Sequence, residues 1–170
     1  NCARHLIHLR ELQKETGGFT EFVPLPFVHM EAPIYLKGHA RKGPTYREAI
    51  LMHAVARIVL YPHINNIQTS WVKMGPDGSM ACLNAGANDL GGTLMNESIT
   101  RAAGASWGQE FSPESMESLI RSIERIPEQR STTYDKVDIE RQQISFNAEG
   151  LKKPINTTIK RNKKQKSMHS

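Results

Sequence analysis

Cysteine is scarce in this 170-residue chain, which has only Cys2 and Cys82. The pair matches no metal-ligand spacing and allows one disulfide at most. Both residues fall in stretches that read as helical and buried, which favours a reducing intracellular compartment. Long apolar runs are missing too. No run is long enough to span a membrane, and no charged start followed by an apolar middle marks a signal peptide. No P-loop, dinucleotide fingerprint, zinc spacing or nucleophile elbow occurs. Acid is absent from residues 151–170, which carry seven basic residues. Subtracting these seven from the formal net charge of +5 leaves −2 for the rest, so the pI near 9.3 belongs to the tail. That tail has no aromatics interleaved for base stacking, so neither nucleic acid nor membrane is an expected partner.

What is present alternates in type. Cys2, Leu6, Leu9 and Leu12 keep helical spacing, and Gly17-Gly18 supplies a left-handed stop. Phe19 to Val23 is aromatic and β-branched and reads as a strand that Pro24 and Pro26 fray into a loop. Residues 29–44 form a long connection. Thr45 and Glu48 have capping-box spacing, and the helix they start closes at Pro62. A second strand is expected over residues 66–74, a turn at 75–78, and a short helix from about Ser79 to Ala85 that ends at Gly86. A third strand spans 88–94, and a short helix spans 97–103. Ser112 and Pro113 open a further helix that Pro127 ends. Beyond Asp138 the pattern fades, and the lysine-rich end is expected to be disordered.

This order predicts an α/β fold in which about three parallel strands carry outer helices. Three strands cannot close a barrel, so the expected architecture is a section of one. The expected division is a folded portion over residues 1–137 and a basic extension of low structure over 138–170. Ligands in such folds meet the C-terminal ends of the strands. Gln68 and Ser70 share the more polar face of the middle strand. Asp89, Gly91 and Thr93 share a face of the third, where Gly91 and Gly92 leave room for close approach. His29 and Glu31 follow the first strand. These eight residues, Gln68, Ser70, Asp89, Gly91, Gly92, Thr93, His29 and Glu31, are the candidate substrate-binding set. No catalytic residue and no metal ligand is assigned. Asp89 has a plain alternative as the cap of the turn at Gly86, and Gln68 and Ser70 could satisfy each other or the backbone. His53, mid-helix, reads as a packed or surface residue, and Trp71 as core.

Several stretches together resemble a known family. They are FTEFVPLPF (residues 19–27), the Gly43-Pro44-Thr45 helix start, IQTSWVK (67–73), LNAGANDLGGTLM (83–95), residues 97–104, and Arg125 to Arg130 followed by Thr132-Thr133-Tyr134. They resemble the C-terminal part of the radical S-adenosylmethionine enzymes that make the deazaflavin FO. Within that family they are most similar to the second, tyrosine-using module of FO synthase, the 5-amino-6-(D-ribitylamino)uracil–L-tyrosine 4-hydroxyphenyl transferases.

The resemblance implies a TIM-type (β/α) barrel and two cofactors, S-adenosyl-L-methionine and a [4Fe-4S] cluster on a C-x-x-x-C-x-x-C motif. The implied substrates are tyrosine and 5-amino-6-(D-ribitylamino)uracil. The implied partners are an N-terminal barrel half and a ring-closing FO synthase module. The cysteine motif is absent, so the cluster ligands are not in this chain, and the expectation is a C-terminal piece that supplies pocket strands without being active alone. Two alternatives stay open: the menaquinone-route futalosine radical enzyme, and a non-catalytic binding module with a basic tail.

Overall fold

Leu6 is completely buried and fixes how the chain begins. In the computed structural model, which describes residues 1–94, 97–107 and 110–150, Leu6 lies on the inner face of α1 (Cys2–Thr16). That helix ends at Gly17, whose φ of 59° provides the expected left-handed stop. The long connection holds one helical turn, α2 (Pro33–Leu36). Helix α3 (Tyr46–Leu60) opens with the expected capping box. The Glu48 N–H donates to the Thr45 hydroxyl, and the Thr45 N–H donates to the Glu48 carboxylate at 2.7 Å. Its buried face carries Ala49, His53, Ala56 and Leu60.

Helix α4 (Trp71–Asn84) replaces the expected strand, turn and short helix. Gly75 has φ 69° and ψ 177°, so it breaks α4 into two pieces, and Pro76 starts the second. The Gly-Pro-Asp-Gly sequence is therefore a kink between helical pieces. A side chain is excluded at Gly75, because a Cβ would lie 2.5 Å from the Trp107 ring.

Helix α5 (Ile99–Ala102) is short. Helix α6 (Pro113–Ser122) starts as expected, with the Ser112 hydroxyl accepting from the Ser115 N–H. Helix α7 (Ile139–Phe146) lies where the sequence pattern fades, with the Asp138 carboxylate accepting from the Arg141 N–H at 2.7 Å. None of its residues is buried, and it is only eight residues long, about two turns of pattern. The helices pack in a chain: α1 on α3, α3 on α4, α4 on α6, and α6 on α7. The core they enclose centres on Leu6, Leu60, Ile67, Trp71 and Cys82.

The expected α/β barrel section with three parallel strands is overturned. The described residues are helical and contain no strand, only isolated bridges. Phe22 pairs with Ile67 and Gln68 with Asp89, both in parallel, and Arg130 pairs with Lys136 in antiparallel. The reasons lie in particular residues. Pro24 and Pro26 have no N–H to extend the first pairing. Ser70 is already the N-cap of α4, which leaves the middle segment only Ile67 and Gln68 to pair. Gly91, at φ 76°, turns the chain out of the extended region two residues after Asp89. Cys82 is buried as expected, but Cys2 is exposed, and both are free thiols. Met95, at the end of one resemblance stretch, and the lysine-rich residues 151–170 lie outside the described residues.

Candidate functional site

The parallel bridge between Gln68 and Asp89 brings two polar side chains together, and Asp89 is buried there. Four backbone hydrogen bonds hold the segments side by side. Phe22 N–H donates to Asn66 C=O and Gln68 N–H to Phe22 C=O, while Thr69 N–H donates to Asp89 C=O and Asn88 N–H to Ile67 C=O. One Asp89 oxygen accepts from the Gly91 N–H, which closes an Asx-type turn. The other accepts from Arg130 Nε. Asp89 therefore makes both a turn contact and an ion pair, and the turn is at Gly91 rather than Gly86.

Arg130 gathers the rest of the site. Its guanidinium lies 4.0 Å over the Tyr134 ring, a cation–π contact. One terminal nitrogen donates to Ser131 C=O at 2.9 Å. The other is 3.5 Å from the Glu21 carboxylate and 3.4 Å from Gln68 Oε1. The Tyr134 hydroxyl donates to that same Glu21 carboxylate. Burial opposes the Arg130 charge, but Asp89, Tyr134 and Glu21 together outweigh it and hold the guanidinium above its ordinary pKa. Burial, with hydrogen bonding to Asp89 and Glu21, pushes the Tyr134 hydroxyl far above the usual phenol range, so it stays a donor.

Five side chains from distant parts of the sequence thus form one network of two carboxylates, one guanidinium, one phenol and one amide. The Gln68 amide nitrogen has no hydrogen-bond partner among the described residues, which leaves it free to donate to a ligand. It presses on Gly91, where a Cβ would sit 2.6 Å from it. The missing side chain at Gly91 is therefore filled from within the chain. Gly92 borders open space, and its carbonyl accepts from Trp71 Nε1 at 2.9 Å.

Of the eight candidate residues, Gln68, Asp89 and Gly91 come together. Ser70 is buried beside them in sequence at the start of α4, and its hydroxyl caps nothing. Thr93 lines a separate hollow with Ser112 and Phe146. His29 stacks edge-on against Tyr35 at 4.7 Å, and the Glu31 N–H donates to Ala103 C=O; neither joins the network. Glu21, Arg130 and Tyr134 were not candidates. Their sequence signal was an acid set in an aromatic, proline-rich stretch, and a conspicuous arginine and tyrosine closing the last resemblance motif.

The chain's thiols do not fit a cluster held by three cysteines. Cys2 is exposed on α1, while Cys82 is buried in α4 at 3.4 Å from His53 Nδ1. Among the described residues no three His, Cys, Asp or Glu side chains converge to hold a metal. Within the same residues, no helix is long and apolar enough to cross a membrane.

Comparison with known proteins places the chain. Residues 16–143 match the family model described as the CofH/MqnC C-terminal region. An FO synthase of Mycobacterium leprae is 54% identical over 76% of this chain and 15% of its own length. The 5-amino-6-(D-ribitylamino)uracil–L-tyrosine 4-hydroxyphenyl transferase of Methanopyrus kandleri is 52% identical over 79% of this chain and 37% of its own. That of Methanococcus maripaludis is 48% identical over 81% of this chain and 38% of its own. The chain thus spans well under half of these curated relatives, and it belongs to the CofH/MqnC C-terminal region family.

Proposed function

We propose that this chain supplies the C-terminal, substrate-facing part of a radical S-adenosylmethionine enzyme of FO biosynthesis. In the complete enzyme, the 4-hydroxybenzyl group of tyrosine is joined to 5-amino-6-(D-ribitylamino)uracil. One observation carries this reading. Glu21, Gln68, Asp89 and the Arg130–Tyr134 pair come from four separate resemblance stretches, and they meet in one network. In this reading Gln68 and Asp89 face the substrates, with the Gln68 amide as an available donor. Ser70 and Gly92 adjoin Gln68 and Asp89 in the sequence, whereas Thr93, His29 and Glu31 lie outside the network and take no part in this reading. S-adenosyl-L-methionine and the [4Fe-4S] cluster belong to the complete enzyme, where other residues hold the cluster. The chain alone therefore does not cleave S-adenosylmethionine.

The test is a graft. Residues 16–143 replace the matching region of the Methanopyrus kandleri transferase, and the chimera is assayed with tyrosine plus ribitylaminouracil. The expected result is product, with little or none from the futalosine-derived substrate. A folded, cluster-loaded chimera that turns over only the latter would overturn the FO reading. Separately, iron and sulfide offered to the isolated chain should give no cluster absorbance band and no deoxyadenosine.

A further inference from the structure

Two half-buried cations lie outside the network around Asp89. Lys73, in the first turn of α4, donates from Nζ to the Thr100 hydroxyl at 3.3 Å. Arg101, on α5, donates from Nε to the Glu97 carbonyl at 3.2 Å. Neither lies within ion-pair distance of a carboxylate among the described residues. The nearby Glu97 carboxylate is already engaged. Its oxygens accept from the Thr100 N–H at 3.0 and 3.2 Å, and one accepts from the buried Thr100 hydroxyl at 3.1 Å. Glu97 therefore reaches Lys73 only through that hydroxyl, which is fixed with its hydrogen toward Glu97 and a lone pair toward Lys73.

The contrast with two other half-buried cations is informative. Arg57 donates to Gly86 C=O, Asn65 C=O and Asn88 Oδ1, and Arg130 has two carboxylates. Among the described residues, Lys73 has one neutral acceptor for its three N–H groups, and Arg101 has one carbonyl for its five. Withdrawing a cation partly from water without an anion is unfavourable, and an anionic ligand removes that penalty. Two cations against one engaged carboxylate suit a singly charged group better than a doubly charged phosphate.

We infer that Lys73 and Arg101, tethered to Glu97 and Thr100, bind the carboxylate of a small molecule. Resting on the proposed function, that carboxylate is the α-carboxylate of the amino-acid substrate. The Thr100 tether fixes the Lys73 ammonium before the ligand arrives, which limits the side-chain entropy lost on binding.

The test uses the full chain with isotope-labelled lysine, its side-chain NMR signals followed during titration. L-tyrosine is expected to shift the Lys73 signal saturably, and tyramine, which lacks the carboxylate, is not. Lys73→Gln should weaken L-tyrosine binding by about tenfold to a hundredfold, the usual effect of one charged hydrogen bond. Lys73→Arg should retain most of it, which separates loss of charge from loss of fold, and a thermal melt checks each variant. Equal shifts from L-tyrosine and tyramine, no saturable shift from any carboxylate, or unchanged binding in a folded Lys73→Gln would overturn the site. If acetate and L-alanine shift Lys73 as strongly as L-tyrosine does, the carboxylate site stands and the tyrosine-using reading loses its support.

Discussion

Arg130 shows how one side chain can decide whether a site exists. The Asp89 side chain is only 6% exposed, so its charge depends on Arg130 and the Gly91 N–H. Arg130→Met should destabilise the chain by about 2–4 kcal/mol in denaturant melts, because it leaves a buried carboxylate short of partners. The lower end is favoured, since Arg130 itself stays 27% exposed and partly screened. Adding Asp89→Asn should recover part of the loss, and a strictly additive double variant would contradict the pairing. His53 gives a second prediction. Its Nδ1 lies 2.8 Å from the Ala49 carbonyl, its Nε2 has no partner, and burial holds its pKa below the ordinary value. The unfolded chain therefore takes up a proton before the native one does. Stability should be full above about pH 6.5 and fall as the pH drops from there toward the lower folded value. Thermal melts across that range should slope less in His53→Gln, and an identical slope would remove His53 as the cause.

Elements were legible where local chemistry decides them. The Gly17 stop, the Thr45–Glu48 box and the Ser112 cap follow from a few adjacent residues, and each appears as expected. Thr45→Ala should lower stability by about 1 kcal/mol, measured by chemical denaturation. Elements were misread where a single tertiary contact decides. Residues 71–74 are β-branched and aromatic enough to suggest a strand, but Trp71 is drawn into the core and its indole N–H bonds to Gly92 C=O. Tertiary packing overrides so short a propensity signal. The glycines of the Asp89 segment were read as room for a ligand, but in the structure Gly91 accommodates Gln68 and a positive φ. Gly91→Ala should therefore be destabilising by about 1–3 kcal/mol even with no substrate present. A neutral effect in the isolated chain would return that glycine to a ligand-only role.

At the scale of the whole molecule, the site was half legible. Gln68 and Asp89 could be found because polar residues in an apolar stretch require an explanation. Glu21, Arg130 and Tyr134 could not be placed, because their partners lie far away in sequence and only the fold joins them. The surface carries a further message. Leu25, Ile34 and Leu36 are each more than half exposed and lie close together in the chain around α2. Exposed apolar groups clustered this way favour association. Light scattering should therefore show concentration-dependent self-association, reduced by Leu25→Lys with Ile34→Lys. The hydrogen bond from Tyr134 to Glu21 spans 113 residues. Such a contact closes a very long loop, so it forms only after much of the chain between is in place. The Thr69 amide, fully buried and donating to the Asp89 carbonyl beneath that closure, should exchange its hydrogen with solvent only through near-global opening. One slowly exchanging proton would then report that the whole chain has finished folding.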